Sequence, residues 1–205
     1  MLDKDSAEDT RALRHVATRT RILEAAWQLA RQNGLAALSL RDLAQEVGMR
    51  APSLYTYFSS KNALYDAMYA DGVRQLNEAV NQRPKSSDPE QALRQRMKRL
   101  VGFALEDPVR FQLIDQRTIP GFEPSPQSFD ISASSIARLH QELDAAGIRG
   151  GRSADLWRAL STGLINQQIS NDPGGRRWAR LADDAVDMFL AYHGKRSTGA
   201  AKEKR

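Results

Sequence analysis

Apolar residues recur along most of the chain at the three- and four-residue spacing that marks the buried face of an α-helix. The first such stretch runs from Thr20 to an Asn33-Gly34 pair, which is typical of a helix C-terminus. A second, two-turn pattern follows Ser39, a suitable N-cap residue. A third helix is predicted to begin near Ala51, because the proline that follows it is tolerated in a first turn.

Longer helical patterns fill the rest of the chain. A fourth helix is predicted from about Ser60 to Gln82, with no linker inside it. Asp88-Pro89 then combines an N-cap residue with a proline at the first helical position. The helix that starts there is followed by a second such start at Asp107-Pro108, and further helices are predicted over about 108–116, 127–146, 154–170 (capped by Ser153) and 176–192. The sequence contains no strand pattern, internal repeat or glycine-rich phosphate loop, so we predict an all-α fold of about nine helices.

The order of these helices indicates two domains. Two short helices joined by a glycine-containing turn, after a longer helix, are the arrangement of a helix-turn-helix motif. We therefore predict an N-terminal three-helix domain that the fourth helix joins to a C-terminal helical bundle. The predicted boundaries are 1–18 for a flexible basic arm, 19–65 for the helix-turn-helix domain, 66–193 for the bundle and 194–205 for a disordered basic tail.

The last predicted helix carries apolar residues on more than one face. Trp178 and Phe189 belong to one stripe, and Val186 and Leu190 widen it beyond the ~100° typical of a helix packed against a single core. A second copy of the same helices, related by a two-fold axis, would cover the additional surface. We expect these four residues in a homodimer interface. Burial of the helix by its own chain is the alternative.

Composition narrows the function classes. The 205 residues include no cysteine, which excludes disulfides, thiolate nucleophiles and cysteine-ligated zinc. The 30 lysine and arginine residues exceed the 25 aspartate and glutamate residues modestly, which suits nucleic acid but also many enzymes. No run of about 18 apolar residues is present, and the N-terminus is acidic and polar. We therefore expect a cytoplasmic protein with no membrane partner.

The stretch APSLYTYFSSK, residues 51–61, concentrates aromatic residues in two helical turns. If Leu54 and Phe58 face the core, then Tyr55, Thr56 and Tyr57 project outward or to the flanks. An exposed phenol can donate to a phosphate oxygen or contact a thymine methyl group, and the lysine at the end of the stretch suits the phosphate backbone. The alternative is a corner that only packs the third helix on the fourth. It explains Phe58 but does not explain Tyr57 well.

Residues 20–68, with LSLRDLAQEVGMRAPSLYTYFSSKNALYDAM as their densest part, resemble the DNA-binding domain of TetR-type transcriptional repressors. That family's pattern is a capped helix, LA-x-x-x-G, a turn, LY-x-[aromatic or His]-F, Ser or Asn, and Lys-x-x-L. Tyr57 stands where the family more usually has histidine, and Met49-Arg50-Ala51 replaces the usual triplet before the proline. The base preference of the family therefore cannot be transferred to this chain. The resemblance implies contacts to double-stranded operator DNA from Thr20, Ser39, Arg41, Pro52, Ser53, Tyr55, Tyr57 and Lys61. The outward-facing Thr56 is the ninth predicted DNA-binding residue.

The resemblance also implies a non-enzymatic regulator without a cofactor, whose C-terminal domain binds a small-molecule effector of unknown identity. The candidate ligand-binding residues lie in the predicted helices 5 to 8 and the loop after helix 6: Met97, Phe103, Phe111, Arg117, His140, Trp157 and Asn166. The three histidines are far apart in the sequence, so we predict neither a catalytic nor a metal site. Two alternatives stay open, a DNA-binding dimer without a ligand and an all-helical enzyme or scaffold.

Overall fold

The computed structural model describes residues 2–202, with side chains from residue 9 to residue 194. This part of the chain is all α, as predicted, and contains no strand. It forms ten α-helices and one short 3-10 helix, η1. Their bounds are α1 Leu2–Asn33, α2 Leu40–Glu46, α3 Ala51–Leu54, α4 Lys61–Val80, α5 Pro89–Glu106, α6 Pro108–Asp115, α7 Pro126–Asp130, α8 Ala133–Ala145, α9 Gly151–Asn171, η1 Ala179–Leu181 and α10 Ala182–Lys202. No helix among the described residues is both long and apolar enough to span a bilayer.

The chain divides into two compact units. The N-terminal unit contains the residues up to Gly72 together with Val109–Phe129, and the C-terminal unit contains Val73–Pro108 and the residues from Asp130 onward. Helix α4 therefore belongs to both units. We expected the division between residues 65 and 66. Nothing in the helical pattern of the sequence indicated that residues 109–129 belong to the N-terminal unit.

An apolar core holds the N-terminal unit together. Ile22 and Ala26 of α1, Leu43 of α2 and Leu64 of α4 are almost fully buried in it. Ile22 and Ala26 are four residues apart, as expected for the buried face of one helix. Burial of each large aliphatic side chain contributes roughly 1.5–3 kcal/mol to the stability of the fold. One hydrogen bond at its edge fixes the packing of α1 against α4: the indole Nε1 of Trp27 donates to a carboxylate oxygen of Asp71 at 2.9 Å.

Helix α1 begins far earlier than the apolar pattern indicated. It starts at Leu2, whereas we expected a flexible arm up to residue 18 and a helix from about Thr20. Residues 9–17 are exposed, so no apolar stripe marks this part of the helix in the sequence. Its alanine, leucine, glutamate and arginine residues are strong helix formers, and propensity accounts for the extension.

The predicted helix over 127–146 is wrong, because two helices, α7 and α8, occupy that range. The backbone carbonyl of Ile131 accepts a hydrogen bond from the side-chain amide of Asn77 at 2.7 Å instead of continuing the helical ladder. Helix α7 has its own cap, since the hydroxyl of Ser125 accepts from the backbone N–H of Ser128 at 3.2 Å. The helix therefore breaks at Ile131, and α8 begins at Ala133.

Two further helix termini differ from the prediction. Ser153 does not cap α9; its hydroxyl donates to the carbonyl of Arg149 at 3.2 Å, and the helix already begins at Gly151. The last segment opens with η1 instead of a regular α-helix from 176, and α10 continues past Tyr192 to Lys202. The tail that we predicted over 194–205 is thus helical as far as 202, and residues 203–205 lie outside the described residues.

The C-terminal unit combines apolar packing with a buried charge pair. Helix α5 packs against α8, α9 and α10, and Trp157 meets Phe189 edge to face with ring centroids 5.4 Å apart. A guanidinium nitrogen of Arg96 lies 3.5 Å from a carboxylate oxygen of Glu142, and both side chains are about 95% buried. Arg96 also donates to the carbonyl and the hydroxyl of Ser135, at 2.8 and 3.0 Å. Burial lowers the pKa of Arg96, and the Glu142 carboxylate opposes that shift.

Candidate DNA-binding site

Helix α2 begins with the predicted cap. The side-chain oxygen of Ser39 accepts hydrogen bonds from the backbone N–H groups of Arg41 and Asp42, at 3.2 and 3.4 Å. The cap satisfies two donors that the helix itself leaves unpaired. It also fixes the start of the helix, from which the exposed side chain of Arg41 projects. No ion-pair partner of Arg41 is found in the described part of the chain, so its guanidinium is available to a phosphate.

The stretch that follows has one buried and one exposed side, as predicted. Leu54 and Phe58 expose no more than 2% of their surface and belong to the core of the N-terminal unit. Pro52, Ser53 and Thr56 are exposed, and Tyr55 exposes 52% of its surface. The hydroxyl of Thr56 donates to the carbonyl of Ser53 at 2.7 Å. This bond stabilises the single turn beyond α3, a helix of only four residues.

Tyr57 packs more closely than the sequence suggested. Its ring is partly buried against the core and stacks on the imidazole of His15, with centroids 4.7 Å apart and planes inclined by 22°. One turn further along α1, the guanidinium carbon of Arg19 lies 4.8 Å from the ring centroid of Phe58. The ring of Tyr57 is therefore held in place by α1, whereas that of Tyr55 extends into solvent.

Lys61 and Thr20 both have partners within the unit. The ammonium of Lys61 donates to the carbonyl of Ala36 at 3.1 Å and lies 5.4 Å from the ring centroid of Tyr65. An ammonium has three donors, so this contact leaves others for a phosphate. Thr20 is exposed on α1, and its hydroxyl donates to the carbonyl of Val16 at 3.1 Å. The structure thus places all nine predicted DNA-binding residues in the N-terminal unit, and their contacts with DNA stay a prediction.

Sequence reasoning predicted Thr20 of α1 but missed the packing of His15 and Arg19 of the same helix against the DNA-binding stretch. His15 and Arg19 precede Ile22 and Ala26 on one helix face, at i, i+4, i+7 and i+11. Extending the apolar face backward along the helix would have found them. Arg50, at the N-cap position of α3, is a further exposed cation beside the predicted contacts.

The residues predicted to bind a ligand have mixed surroundings. Met97, Phe103, Phe111 and Trp157 are buried, His140 and Asn166 are partly buried, and Arg117 is exposed, with a guanidinium nitrogen 3.5 Å from Glu123. None of the seven lines the cavity of about 700 Å³ that the C-terminal unit contains. No group of side chains suited to a metal ion occurs among the described residues.

A capped helix, a glycine turn and a short helix with an exposed polar and aromatic face together define a helix-turn-helix DNA-binding domain. Residues 22–68 match the model of the bacterial regulatory proteins, tetR family. Over these residues the chain is similar to the DNA-binding domains of TetR-family transcriptional regulators.

Named relatives agree with this assignment. The chain is 27% identical over 125 residues to the HTH-type transcriptional regulator Rv1816 of Mycobacterium tuberculosis (strain ATCC 25618 / H37Rv), covering 58% of this chain. It spans about half, 52%, of the length of that relative.

Two solved structures resemble the whole fold. The regulatory protein SCO4313 superposes with a TM-score of 0.74 at 22% identity, over 88% of this chain and 98% of that one. The TetR family transcriptional regulator PfmR from Thermus thermophilus has a TM-score of 0.63 at 25% identity, over 83% and 97% of the two chains. The likeness to SCO4313 extends the all-α assignment well beyond the matched residues 22–68.

Proposed function

We propose that the protein is a repressor that binds a palindromic operator as a homodimer and is released from it by a small-molecule effector. The observation that carries the proposal is the two-sided stretch 51–58. Its apolar residues complete the core, so its polar and aromatic residues form an exposed face on a rigid support. Such a face can enter the major groove of DNA, while exposed cations such as Arg41 and Arg50 hold the phosphates. Operator binding would place the protein in the bacterial cytoplasm.

A homodimer is proposed from the exposed apolar residues near the end of the chain. Met188 exposes 67% of its surface, and Leu181 and Tyr192 about 40% each. Of the residues that we predicted in the interface, Trp178 and Leu190 are partly buried, whereas Val186 and Phe189 are already buried within their own chain. The exposed residues are therefore the better positions at which to test the interface, because a charge there leaves the core of the chain intact.

An effector is proposed because the C-terminal unit contains a cavity of a size usual for ligands. Helix α4 begins in the N-terminal unit and ends in the C-terminal unit, and the proposed effector acts on DNA affinity through this helix. The effector can change DNA affinity only by as much as it prefers the DNA-free protein over the DNA-bound protein, typically ~1–3 kcal/mol.

Selection of bound fragments from random DNA, followed by sequencing, tests the proposal. We expect an inverted repeat with half-sites about 10 base pairs apart, because a symmetric dimer contacts successive major grooves. Binding of the selected site by Lys61→Ala is then measured at several salt concentrations. Loss of one phosphate contact should lower the slope of log affinity against log salt by roughly one. An unchanged slope would mean that Lys61 stays with its carbonyl partner.

Fragment selection and a sedimentation measurement together separate the alternatives. Selection of a single, unpaired half-site would contradict the proposed interface. Dimers that persist in sedimentation after Met188→Arg would contradict it as well. No enrichment even at low salt would contradict DNA binding and favour the all-helical enzyme or scaffold. A DNA-binding dimer without a ligand would give the repeat but no response to any small molecule.

A further inference from the structure

The cavity of the C-terminal unit lies among α5, the end of α9, the segment that follows it, η1 and the start of α10. Its volume of about 700 Å³ falls within the roughly 300–1,000 Å³ of ligand pockets. Aliphatic side chains of Val101, Leu105 and Ile169 line it. Such a wall accepts a hydrocarbon body without desolvating any polar group.

Charged side chains at the cavity are unevenly paired. The ammonium of Lys98 lies 2.8 Å from a carboxylate oxygen of Asp183, so these two charges neutralise each other. Glu106 and the exposed Arg176 and Arg180 also line the cavity. Neither guanidinium has an ion-pair partner within 4 Å among the described residues. Hydrogen bonds from Gln168 and the Arg177 backbone and, less strongly, the charge of Arg180 lower the pKa of Asp172. Guanidinium groups bind carboxylates through paired hydrogen bonds, so two unpaired ones favour an anionic head group.

A glycine in the middle of α5 leaves the cavity open. Gly102 lines it, has an ordinary helical conformation, and would meet nothing within 4 Å if it carried a Cβ atom. Neither backbone conformation nor close packing therefore requires glycine there. In a helix interior glycine costs about 0.5–1 kcal/mol relative to alanine, so Gly102 destabilises α5. A side chain at this position would occupy part of the cavity.

The segment between α9 and η1 is held in place by one buried amide. Gln168 is 99% buried, and its side-chain oxygen accepts from the backbone N–H groups of Trp178 and Ala179, at 2.8 and 3.0 Å. Its amide nitrogen donates to the carboxylate of Asp172 at 3.0 Å. These bonds order the segment that carries Arg176 and Arg180, so the two arginines start from a fixed backbone.

We propose that this cavity binds an amphipathic small molecule with an aliphatic chain and a single carboxylate. The chain lies along Val101, Leu105 and Ile169, and the carboxylate is bound by Arg176 and Arg180. The proposal names the chemical class of the effector, and its regulatory consequence rests on the proposed function. Binding of the molecule to the cavity does not depend on the proposed function.

Isothermal titration of the full chain with decanoate, below its micellar concentration, tests the proposal. We expect saturable one-to-one binding of decanoate and at least about tenfold weaker binding of decylammonium and decanol, which share the chain but not the carboxylate. Equal binding of all three compounds would overturn the anionic head group, and no binding of decanoate would overturn the proposal.

Variants place the binding within the cavity. Arg176→Ala combined with Arg180→Ala should weaken decanoate binding about tenfold or more. Arg177→Ala is the matched control, since that guanidinium lies 5.2 Å from the ring centroid of Trp178 and does not line the cavity. Gly102→Leu should abolish binding while circular dichroism and thermal stability stay intact. If both the double arginine variant and Gly102→Leu still bind decanoate as the wild type does, the molecule binds elsewhere and the proposal is overturned.

DNA binding by the same preparation separates this inference from the proposed function. Operator binding without decanoate binding would reject only the ligand class. Decanoate binding without any DNA binding would support the site and reject the regulator. If both are present, decanoate should lower operator affinity, and Gly102→Leu should remove that response.

Discussion

The region from residue 9 to residue 72 and the region that follows residue 95 bury different kinds of side chain. Every buried side chain described in the first is apolar or aromatic, whereas the second buries Arg96, Glu142 and Gln168 beside its apolar core. An apolar core accepts many packings of similar volume, but a buried charge requires a particular partner at a particular distance. The two regions therefore respond differently to substitution.

The largest expected effect tests the charge pair. Glu142→Ala leaves the Arg96 guanidinium buried without its carboxylate and should lower the free energy of unfolding by about 3–5 kcal/mol. Urea unfolding followed by tryptophan fluorescence measures it. Arg138→Ala is the control, because that side chain is 36% exposed and its bond to Glu142 should contribute no more than about 1 kcal/mol. Equal costs for the two variants would mean that burial of the charge pair does not set the cost.

A matched apolar replacement sharpens the same point. Arg96→Met combined with Glu142→Leu removes both charges and should cost far less than Glu142→Ala alone. A double variant as unstable as the single one would mean that Ser135 and the other hydrogen-bond partners of Arg96, not the buried charge, dominate the cost.

The contrast also explains what could be predicted from the sequence. Periodicity located α2, its Ser39 cap and the buried pair Leu54 and Phe58, because apolar spacing and capping are local properties. It could not locate the break between α7 and α8, since the amide that binds the Ile131 carbonyl belongs to Asn77, 54 residues earlier. The unpaired arginines of the cavity depend in the same way on a segment ordered by Gln168.

A smaller effect is expected where α1 meets the DNA-binding stretch. His15→Ala removes the ring that stacks on Tyr57 and should weaken operator binding by about 0.5–1.5 kcal/mol, because the tyrosine ring loses its fixed position. Fluorescence anisotropy with the selected operator measures it. His15→Ala should add little to Tyr57→Ala, and His15→Phe should restore affinity.

Leu13→Ala is the control for this stack, since Leu13 lies on the same helix and is 70% exposed. Additive losses from His15→Ala and Tyr57→Ala would mean that the histidine acts on DNA independently and does not position the tyrosine. Equal loss of affinity for selected and random DNA would also contradict a positioning role, because a misplaced reading side chain should affect the selected site more.

The smallest effect concerns acid pH at the segment between α9 and η1. The side-chain amide of Gln168 and then the backbone N–H of Arg177, 2.7 Å away, lower the pKa of Asp172 below its usual range. A lowered folded-state pKa means that the ionised carboxylate stabilises the fold at neutral pH. This contribution is lost as the pH falls from the ordinary aspartate pKa, about 3.9, through the lower folded value. Wild type should therefore lose slightly more stability than Asp172→Asn over that interval in acid titrations followed by circular dichroism. Parallel losses in the two proteins would mean that the carboxylate does not hold the segment, and the ordering of Arg176 and Arg180 would then rest on the Gln168 contacts to Trp178 and Ala179 alone.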